Sequence, residues 1–356
     1  MDWTIPTPTV LKYQSEFKMK PVSIIIPNWN GADLLRSYLP SVVLAGQRYP
    51  ADVELIVVDD ASTDSSVSLV AEVFTGVKLV RHEHNQGFGK TCWSGAQTAQ
   101  NPILILLNSD VKVETDFIAP LADALIDPDV FAASPLILDD QGNLNNVTIS
   151  IPYFKRGKIR YKSAPLQQLQ TPTESLPNPW CTLFPIGAAF AVKRDRFLEL
   201  KGFDDLFNPF YYEDTDLGFR AWRRGWRCIV IPESRVTHFE KGTIAHSFKH
   251  ISVSIIRKRN RLFYLWKNLT SPRLLWQHFG YQLLRLCYRP FCFDFKIHIA
   301  TILAIPGFLK ALRRRREEQN HMVNSEEEIF KIISAANMAN RQLIDSSSIS
   351  KIARGV

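Results

Sequence analysis

The sequence predicts an α/β protein whose core is a mostly parallel sheet with helices on both faces. Short runs of Val, Ile and Leu alternate with segments of helix length, and each run is apolar throughout. Strands of this kind are covered by helices on both sides, as in parallel sheets. Three of the runs end directly on polar residues, which indicates a ligand site at the carboxyl edge of the sheet.

The first third of the chain supplies four of these strands. The run VSIII lies between two prolines, and VELIVV follows one helix later. Ser62 and Asp64 have the side chains that cap a helix N-terminus. The strands are predicted at 22–26, 53–58, 77–80 and 103–107, and the helices at 32–44, from the capping residues to about 74, and from 90 to about 99.

The next part of the chain is less regular. Residues 139–180 are rich in Pro, Gln, Asn and Lys and predict loops and short strands over one edge. A buried strand is expected at 187–192, a short helix at 194–200, and a last strand at 226–231 that ends before Pro232 and a loop over 236–242.

A helix predicted at 213–224 is central to the site. Glu213, Asp214 and Asp216 fall in its opening turn, where the helix dipole favours negative charge. One face carries Leu217 and Trp222, so this face is expected to be buried and to hold Asp214 at the lip of a cleft. Stabilisation of the helix alone would also explain the acidic cluster. The opposite face carries Arg220, Arg223 and Arg224.

The net charge of +8 is unevenly distributed. Residues 251–316 contain 14 cations and one acid, so the rest of the chain carries −5. The longest nearly uncharged run, 297–309, is interrupted by Pro306 and is shorter than the ~20 residues of a bilayer span. Basic helices with aromatic residues are typical of a membrane surface, which we expect 251–316 to contact. A solvated helical bundle is the alternative; RNA binding lacks an accompanying motif.

The five cysteines are odd in number and form no Cys-x-x-Cys pair, which favours a reducing compartment. Residues 1–20 contain no apolar stretch of signal-peptide length. These features predict a cytoplasmic protein, peripheral on the cytoplasmic face of a membrane. The oligomeric state is left open.

Five motifs occur in order: VSIIIPNWNG, ELIVVDDASTD, NQGFGK, ILILLNSD and FYYEDTDLGFRAWRRGW. Over about residues 20–245 they resemble the inverting, nucleotide-sugar-dependent glycosyltransferases of family 2, with a lean towards the rhamnosyltransferase-like branch. The resemblance implies a GT-A fold, which is Rossmann-like. The expected division is an extension at 1–20, a catalytic domain at 21–245 with halves 21–110 and 111–245, a basic helical region at 246–316, and a peripheral or partly disordered polar tail at 317–356.

The resemblance implies that the donor is a UDP- or dTDP-sugar. Asp59 or Asp60, with Asp60 favoured, would accept a hydrogen bond from the pyrimidine imide, and Lys90 would contact the pyrophosphate. The remaining residues implied on the donor side are Pro27, Asn28, Trp29 and Asn30 around the base and ribose, Gly87, and Asn108, Ser109, Gly187 and Ala188.

A divalent ion, Mg²⁺ or Mn²⁺, is implied on the donor diphosphate. Asp110 supplies a hard oxygen ligand, and His238 lies in a Val-x-His context that resembles family branches in which histidine joins the metal. The chain departs from the Asp-x-Asp pattern of the family by carrying Asn108 first. This change reduces the negative charge offered to the ion.

Asp214 is the implied general base, which takes a proton from the acceptor hydroxyl. Glu213 would position Asp214 or bind acceptor hydroxyls, and Trp180 and Tyr212 are expected beside the acceptor. The acceptor itself would be a glycan or a lipid-linked glycan.

Two other functions are consistent with parts of the sequence. The loss of an acid at Asn108 would suit a non-catalytic homologue that binds carbohydrate or nucleotide-sugar, although the acidic pair and His238 are retained. A sugar-phosphate nucleotidylyltransferase would carry a Gly-rich loop after the first strand, where this chain has PNWNG.

Overall fold

A computed structural model describes residues 19–145, 148–163, 179–239, 250–292 and 295–354. Most of the predicted extension at 1–20, part of the 139–180 excursion and residues 240–249 therefore lie outside the described residues. The strands are β1 (Val22–Asn28), β2 (Val53–Asp59), β3 (Lys78–Arg81), β4 (Ile103–Leu107), β5 (Val111–Val113), β6 (Val130–Leu138), β7 (Ser150–Lys155), β8 (Lys158–Ser163), β9 (Trp180–Cys181), β10 (Ala189–Lys193) and β11 (Arg227–His238).

Helices cover both faces of the sheet and extend beyond it towards the C-terminus. Short 3₁₀ turns occur at Asp205–Phe207, Arg289–Cys292 and Ile305–Gly307. The α-helices are α1 (Ala32–Arg48), α2 (Ser66–Val73), α3 (Phe88–Thr98), α4 (Ile118–Ala124), α5 (Arg194–Glu199), α6 (Glu213–Arg223), α7 (His250–Asn268), α8 (Pro272–Tyr288), α9 (Lys296–Ala304), α10 (Phe308–Gln319) and α11 (Glu326–Arg354).

The central sheet has the order β3-β2-β1-β4-β10-β6-β11-β5, and β9 joins it through β11. β1 pairs in parallel with β2 and with β4, and β2 pairs in parallel with β3. The strands β1 and β4 are apolar because both sheet faces are covered, so Ile24, Ile25 and Ile105 are fully buried. The predicted, mostly parallel α/β architecture is confirmed. β7 and β8 form a separate antiparallel hairpin.

β11 is longer than the sequence predicts. The expected strand ends before Pro232, but β11 continues to His238, with a shift in register between Ile231 and Arg235. This irregularity passes Pro232 without breaking the strand, as β-bulges do. The end of β11 then pairs with β5, which places His238 opposite Val111.

The C-terminal helices pack against the part of the chain that carries the central sheet and α6. α7 contacts α6, α9 and α10, and its Lys267 and Asn268 are buried. The expectation of a peripheral or partly disordered tail is wrong for the start of α11. Its Ile329 and Ile333 are fully buried, because α11 packs on α6, β7 and β9. Among the described helices, none combines the length and the apolar character of a bilayer span.

Candidate active site

The ends of β1 and β2 are tied together by their side chains. Asn28 and Asp59 are register partners, and Asn28 Nδ2 donates to Asp59 Oδ1 over 3.1 Å. The second oxygen of Asp59 accepts from the Ser62 amide over 3.0 Å. Because Asp59 is buried and both of its oxygens bind the protein, its carboxylate fixes the turn after β2.

The segment after β1 lies on the same edge. Asn30 has φ +50°, and its Oδ1 accepts from the Thr63 amide over 2.8 Å. Its own amide donates to Ser62 Oγ over 2.9 Å. Pro27 and Trp29 are half-buried there, so the turns after β1 and β2 form one surface.

Asp60 organises the loop that enters α3. Its two oxygens accept from the amides of Gln86 and Gly87 over 2.9 and 2.8 Å, and His82 Nδ1 lies 2.7 Å from Oδ1. Gly87 has φ +85°, a conformation that favours glycine, and Lys90 is exposed in the first turn of α3.

His82 was missed by the sequence analysis. Its other ring nitrogen, Nε2, lies 2.9 Å from Ser94 Oγ, so the ring bridges the Asp60 loop and α3. The available signal was its position directly after β3, at the edge where the other polar strand ends meet.

Asp110 and His238 come together although 127 residues separate them in the chain. His238 Nε2 lies 3.3 Å from Asp110 Oδ1, and the Phe239 amide donates to the Asp110 carbonyl over 3.1 Å. Asn108 Oδ1 is buried and finds no hydrogen-bond partner among the residues that the structure describes. One imidazole, one carboxylate and one unsatisfied amide oxygen are ligands that fit Mg²⁺ or Mn²⁺. The described residues contain no cluster of three or more His, Cys, Asp or Glu that would hold a metal.

Asp214 lies at the start of α6 against the strand β10. The Gly187 amide donates to Asp214 Oδ2 over 3.2 Å, and the Thr215 amide donates to Oδ1 over 2.6 Å. The carbonyl of Ala188, the residue after Gly187, accepts a hydrogen bond from the Asn108 amide over 2.9 Å. Two consecutive residues therefore join the acid of α6 to the Asn108-Ser109-Asp110 motif.

The two acids at the start of α6 hold protons more tightly than ordinary carboxyl groups. Burial raises the pKa of Asp214, against hydrogen bonds from Gly187 and Thr215 that lower it. Burial and the neighbouring charge of Asp214 raise the pKa of Glu213 to about 8. Glu213 Oε2 is buried and has no hydrogen-bond partner within the described part of the chain. At neutral pH Glu213 therefore keeps its proton.

The two residues predicted beside the acceptor differ in accessibility. Tyr212, at φ +80°, caps α6 at the site, and its hydroxyl accepts from Arg261 Nε of α7 over 2.9 Å. Trp180 is only 2% exposed and packs in a small cluster with Val230 of β11. The prediction that Trp180 contacts the acceptor is wrong, because strand pairing between β9 and β11 buries it.

Three comparisons with known proteins bear on this geometry. The chain is 26% identical over 266 residues to polypeptide N-acetylgalactosaminyltransferase 16 of Homo sapiens, which covers 72% of this chain and 46% of that protein. The chain thus spans less than half the length of the first curated relatives it matches. It is 25% identical over 258 residues to N-acetylglucosaminyl-diphospho-decaprenol L-rhamnosyltransferase of Mycobacterium tuberculosis, covering 65% of this chain and 79% of that one.

The fold is shared with a crystal structure of GalNAc-T7 with UDP, GalNAc and Mn²⁺. The TM-score is 0.54 at 20% sequence identity, and the match covers 71% of this chain and 48% of that one. The family model for glycosyl transferase family 2 matches residues 23–186. Residues 23–186 are therefore similar to glycosyl transferase family 2, and the chain shares the fold of the GalNAc-T7 structure.

Proposed function

We propose that this chain is an inverting glycosyltransferase that moves a sugar from a nucleoside-diphosphate donor to a hydroxyl of a glycan or lipid-linked acceptor. The observation that carries the proposal is the pair of hydrogen bonds at Gly187 and Ala188. It holds Asp214 on one side and the Asn108 motif on the other. A base for the acceptor and a diphosphate site then lie on either side of the donor sugar.

Asp214 is the general base of this reaction. Its carboxylate takes the proton of the acceptor hydroxyl while that oxygen forms a bond to the anomeric carbon of the donor sugar. The bond from this carbon to the phosphate oxygen breaks on the opposite side, and the nucleoside diphosphate leaves with the electron pair. One base suffices for inversion, because the sugar is never attached to the protein. Glu213, protonated at neutral pH, is free to donate a hydrogen bond to an acceptor oxygen.

The nucleotide occupies the edge formed by the turns after β1 and β2. Pro27 and Trp29 offer the half-buried surface for the base, and Asp60 offers an oxygen for its imide. A carboxylate has about four acceptor positions, and the loop and His82 use three of those of Asp60. Gly87 and Lys90 then face the diphosphate, and the UDP in the GalNAc-T7 structure supports a uridine donor.

The divalent ion belongs on Asp110, His238 and Asn108, the donor set described above. When bound, Mg²⁺ or Mn²⁺ offsets the negative charge of the departing diphosphate. The presence of Mn²⁺ in the GalNAc-T7 complex supports a metal of this class.

Membrane contact is proposed for the region 251–316. Large apolar side chains are exposed on its helices and turns, among them Trp276 at 80%, Phe291 at 86% and Leu309 at 75%. Exposed apolar side chains on helices that also carry basic residues suit a bilayer interface. A membrane-embedded acceptor would be met there, on the cytoplasmic face.

The proposal is tested by release of nucleoside diphosphate from a panel of UDP-, dTDP- and GDP-sugars. Wild type and Asp214→Asn are compared with Mn²⁺, with Mg²⁺ and with EDTA, using membrane extract as the acceptor source. Metal-dependent turnover of one donor, reduced about 10²–10⁴-fold in the variant, is expected. Nucleotide binding without turnover in any arm would favour the non-catalytic homologue, and no nucleotide binding would overturn the proposal.

A further inference from the structure

A basic cavity lies between the β7–β8 hairpin and helices α7 and α8. None of the described residues that line it is acidic. Its volume is about 50 Å³, on a scale in which one water needs about 10–15 Å³. The cavity therefore has room for a small polyatomic anion. Its cationic side chains and its histidine are Lys158, Lys258, Arg261, Arg285, Arg289 and His278.

The cavity is built into the fold by contacts between the hairpin and α8. His278 Nδ1 donates to the Gly157 carbonyl over 2.9 Å, and Arg285 donates to the Arg156 carbonyl. Gly157 has φ +69°, and a Cβ atom there would lie 2.9 Å from the Gln277 carbonyl oxygen. The hairpin turn thus abuts the backbone of α8, and the cavity walls are fixed.

Two of the cavity's cations, Arg285 and Lys158, are positioned to receive an anion. Arg285 Nη1 is buried and has no hydrogen-bond partner among the described residues, an arrangement that costs free energy until an acceptor binds. Burial and the charges of Arg261, Arg285, Arg160 and Arg289 lower the pKa of Lys158 from its usual range to about 7. A bound anion would satisfy the guanidinium and restore the charge of Lys158.

The cavity adjoins the candidate active site. Arg261, one of its walls, donates to the hydroxyl of Tyr212, the residue directly before Glu213 and Asp214. Tyr161 lies three residues after Lys158 on β8. The charge of Asp214 raises its pKa and the charge of Arg261 lowers it, so Tyr161 is near both. An anion in the cavity would therefore lie close to the start of α6, which carries Asp214.

The other side of the cavity meets exposed apolar surface. Gln282 of α8 and Ile297 of α9 line the cavity. The neighbouring side chains Leu283, Leu284 and Ile302 are more than half exposed. The order along the surface is thus the base Asp214, a cationic cavity, and apolar side chains.

We propose that this cavity binds the phosphate or diphosphate group of the acceptor, which joins the acceptor sugar to a lipid. The inference rests on the proposed transferase function and names the acceptor class. The sugar hydroxyl would reach Asp214, the diphosphate would bind the cavity cations, and the lipid chain would follow α8 and α9. Arginine and lysine donors bind such groups through charge-assisted hydrogen bonds.

Calorimetric titration with inorganic pyrophosphate, in EDTA and with the full chain, tests the site. EDTA removes metal-dependent binding at Asp110 and His238 from the measurement. One pyrophosphate is expected to bind wild type, and binding is expected to weaken about tenfold or more in Lys158→Gln. Arg289→Gln is a second variant with the same expectation. Lys155→Gln removes the same charge from the opposite strand of the hairpin, outside the cavity, and should bind as wild type does.

Equal pyrophosphate binding by wild type and Lys158→Gln, or none by wild type, would overturn the inference. Competition then identifies the source of the phosphate. Phosphatidylcholine vesicles with farnesyl diphosphate should displace pyrophosphate, whereas vesicles with phosphatidylglycerol should not; displacement by both would overturn the assignment to an acceptor diphosphate. Transferase activity is measured separately by the nucleotide-release panel. If the protein binds pyrophosphate but releases no nucleoside diphosphate from any donor, the proposed function is rejected and the pyrophosphate site stands.

Discussion

Asp216 of α6 and Lys267 of α7 form a fully buried ion pair, with Nζ 2.8 Å from Oδ2, across 51 residues of sequence. The same carboxylate accepts from Arg220 over 2.7 Å and from Asn268 over 2.9 Å. Lys267 also binds Asp204 over 2.7 Å. The helix that carries the candidate base is therefore fixed by α7, the first of the C-terminal helices.

Lys267→Met is expected to destabilise the chain by about 3–5 kcal/mol, because it leaves the buried carboxylates of Asp216 and Asp204 with one cation fewer. Urea unfolding measures the difference. The matched control is Arg273→Met, since Arg273 pairs with Glu327 at the surface, where the two side chains are 72% and 43% exposed. The control should change stability by no more than about 1 kcal/mol. Equal effects of the two variants would contradict a structural role for the buried pair.

Gly218 lets α6 lie against the chain at Leu183 and Phe184. A Cβ atom at 218 would lie 2.4 Å from Phe184 Cα and 2.5 Å from the Leu183 carbonyl oxygen, which are backbone atoms that cannot turn aside. Gly218→Ala is expected to cost about 3 kcal/mol or more in the free energy of unfolding.

Gly280→Ala provides the control, because Gly280 lies inside α8 and a Cβ atom there would meet no described residue within 4 Å. That substitution should stabilise the helix by about 0.5–1 kcal/mol. Thermal unfolding of both variants measures the contrast. A small effect at position 218 would show that α6 can move away from Phe184.

The strands of the sheet were largely predictable from the sequence, because each is marked by neighbouring residues. A continuous apolar run followed by polar residues predicts both a buried strand and its end at the ligand edge, as at β1, β2 and β4. The extension of β11 past Pro232 was not predictable, since it depends on pairing with β5 and β6. The burial of α11 was missed for a similar reason. Ile329 and Ile333 are buried because α11 packs on α6 and β9, which lie far away in the sequence.

The position of a candidate residue in the fold was predictable where it sits at a strand end or a helix start. Asp60, Asp110 and Asp214 all do, and the structure brings their edges together. Trp180 could not be placed correctly, because a two-residue strand carries too little pattern to show that β11 buries it. The arginines of α6 were visible as one face, but their burial under α7 and α11 rests on Lys267, Asn268 and Glu326, which lie far along the chain.

Asn108→Asp is expected to increase the affinity of the site for the divalent ion. The substitution adds a carboxylate beside Asp110 and His238, and a further negative ligand should lower the Mn²⁺ concentration for half-maximal nucleotide binding by about tenfold. Asp110→Asn should raise that concentration, and EDTA should abolish metal-dependent binding in both. Asn320→Asp makes the same charge change at an exposed helix end and should leave the Mn²⁺ concentration unchanged. A gain in Asn320→Asp equal to that in Asn108→Asp would refute coordination at position 108.

Glu213 makes the stability of the chain depend on pH. In the folded chain this carboxyl keeps its proton to about pH 8, because of burial and the charge of Asp214, whereas its ordinary pKa is 4.5. As pH rises above 4.5 the unfolded chain releases this proton first, so the unfolded state binds fewer protons and the free energy of unfolding falls until about pH 8. Glu213→Gln cannot ionise and should lack this part of the fall. Urea unfolding of both proteins between pH 5 and about 9 measures the difference.

Asp214→Asn separates the two causes of the raised pKa. This variant removes the neighbouring charge but leaves Glu213 buried, so its loss of stability should end at a lower pH than in wild type while remaining steeper than in Glu213→Gln. The two acids titrate as a coupled pair, and the wild-type curve therefore reports both. Parallel stability curves for wild type and Glu213→Gln would show that Glu213 ionises normally in the folded chain. The proton at the candidate site would then have to be assigned to Asp214 instead.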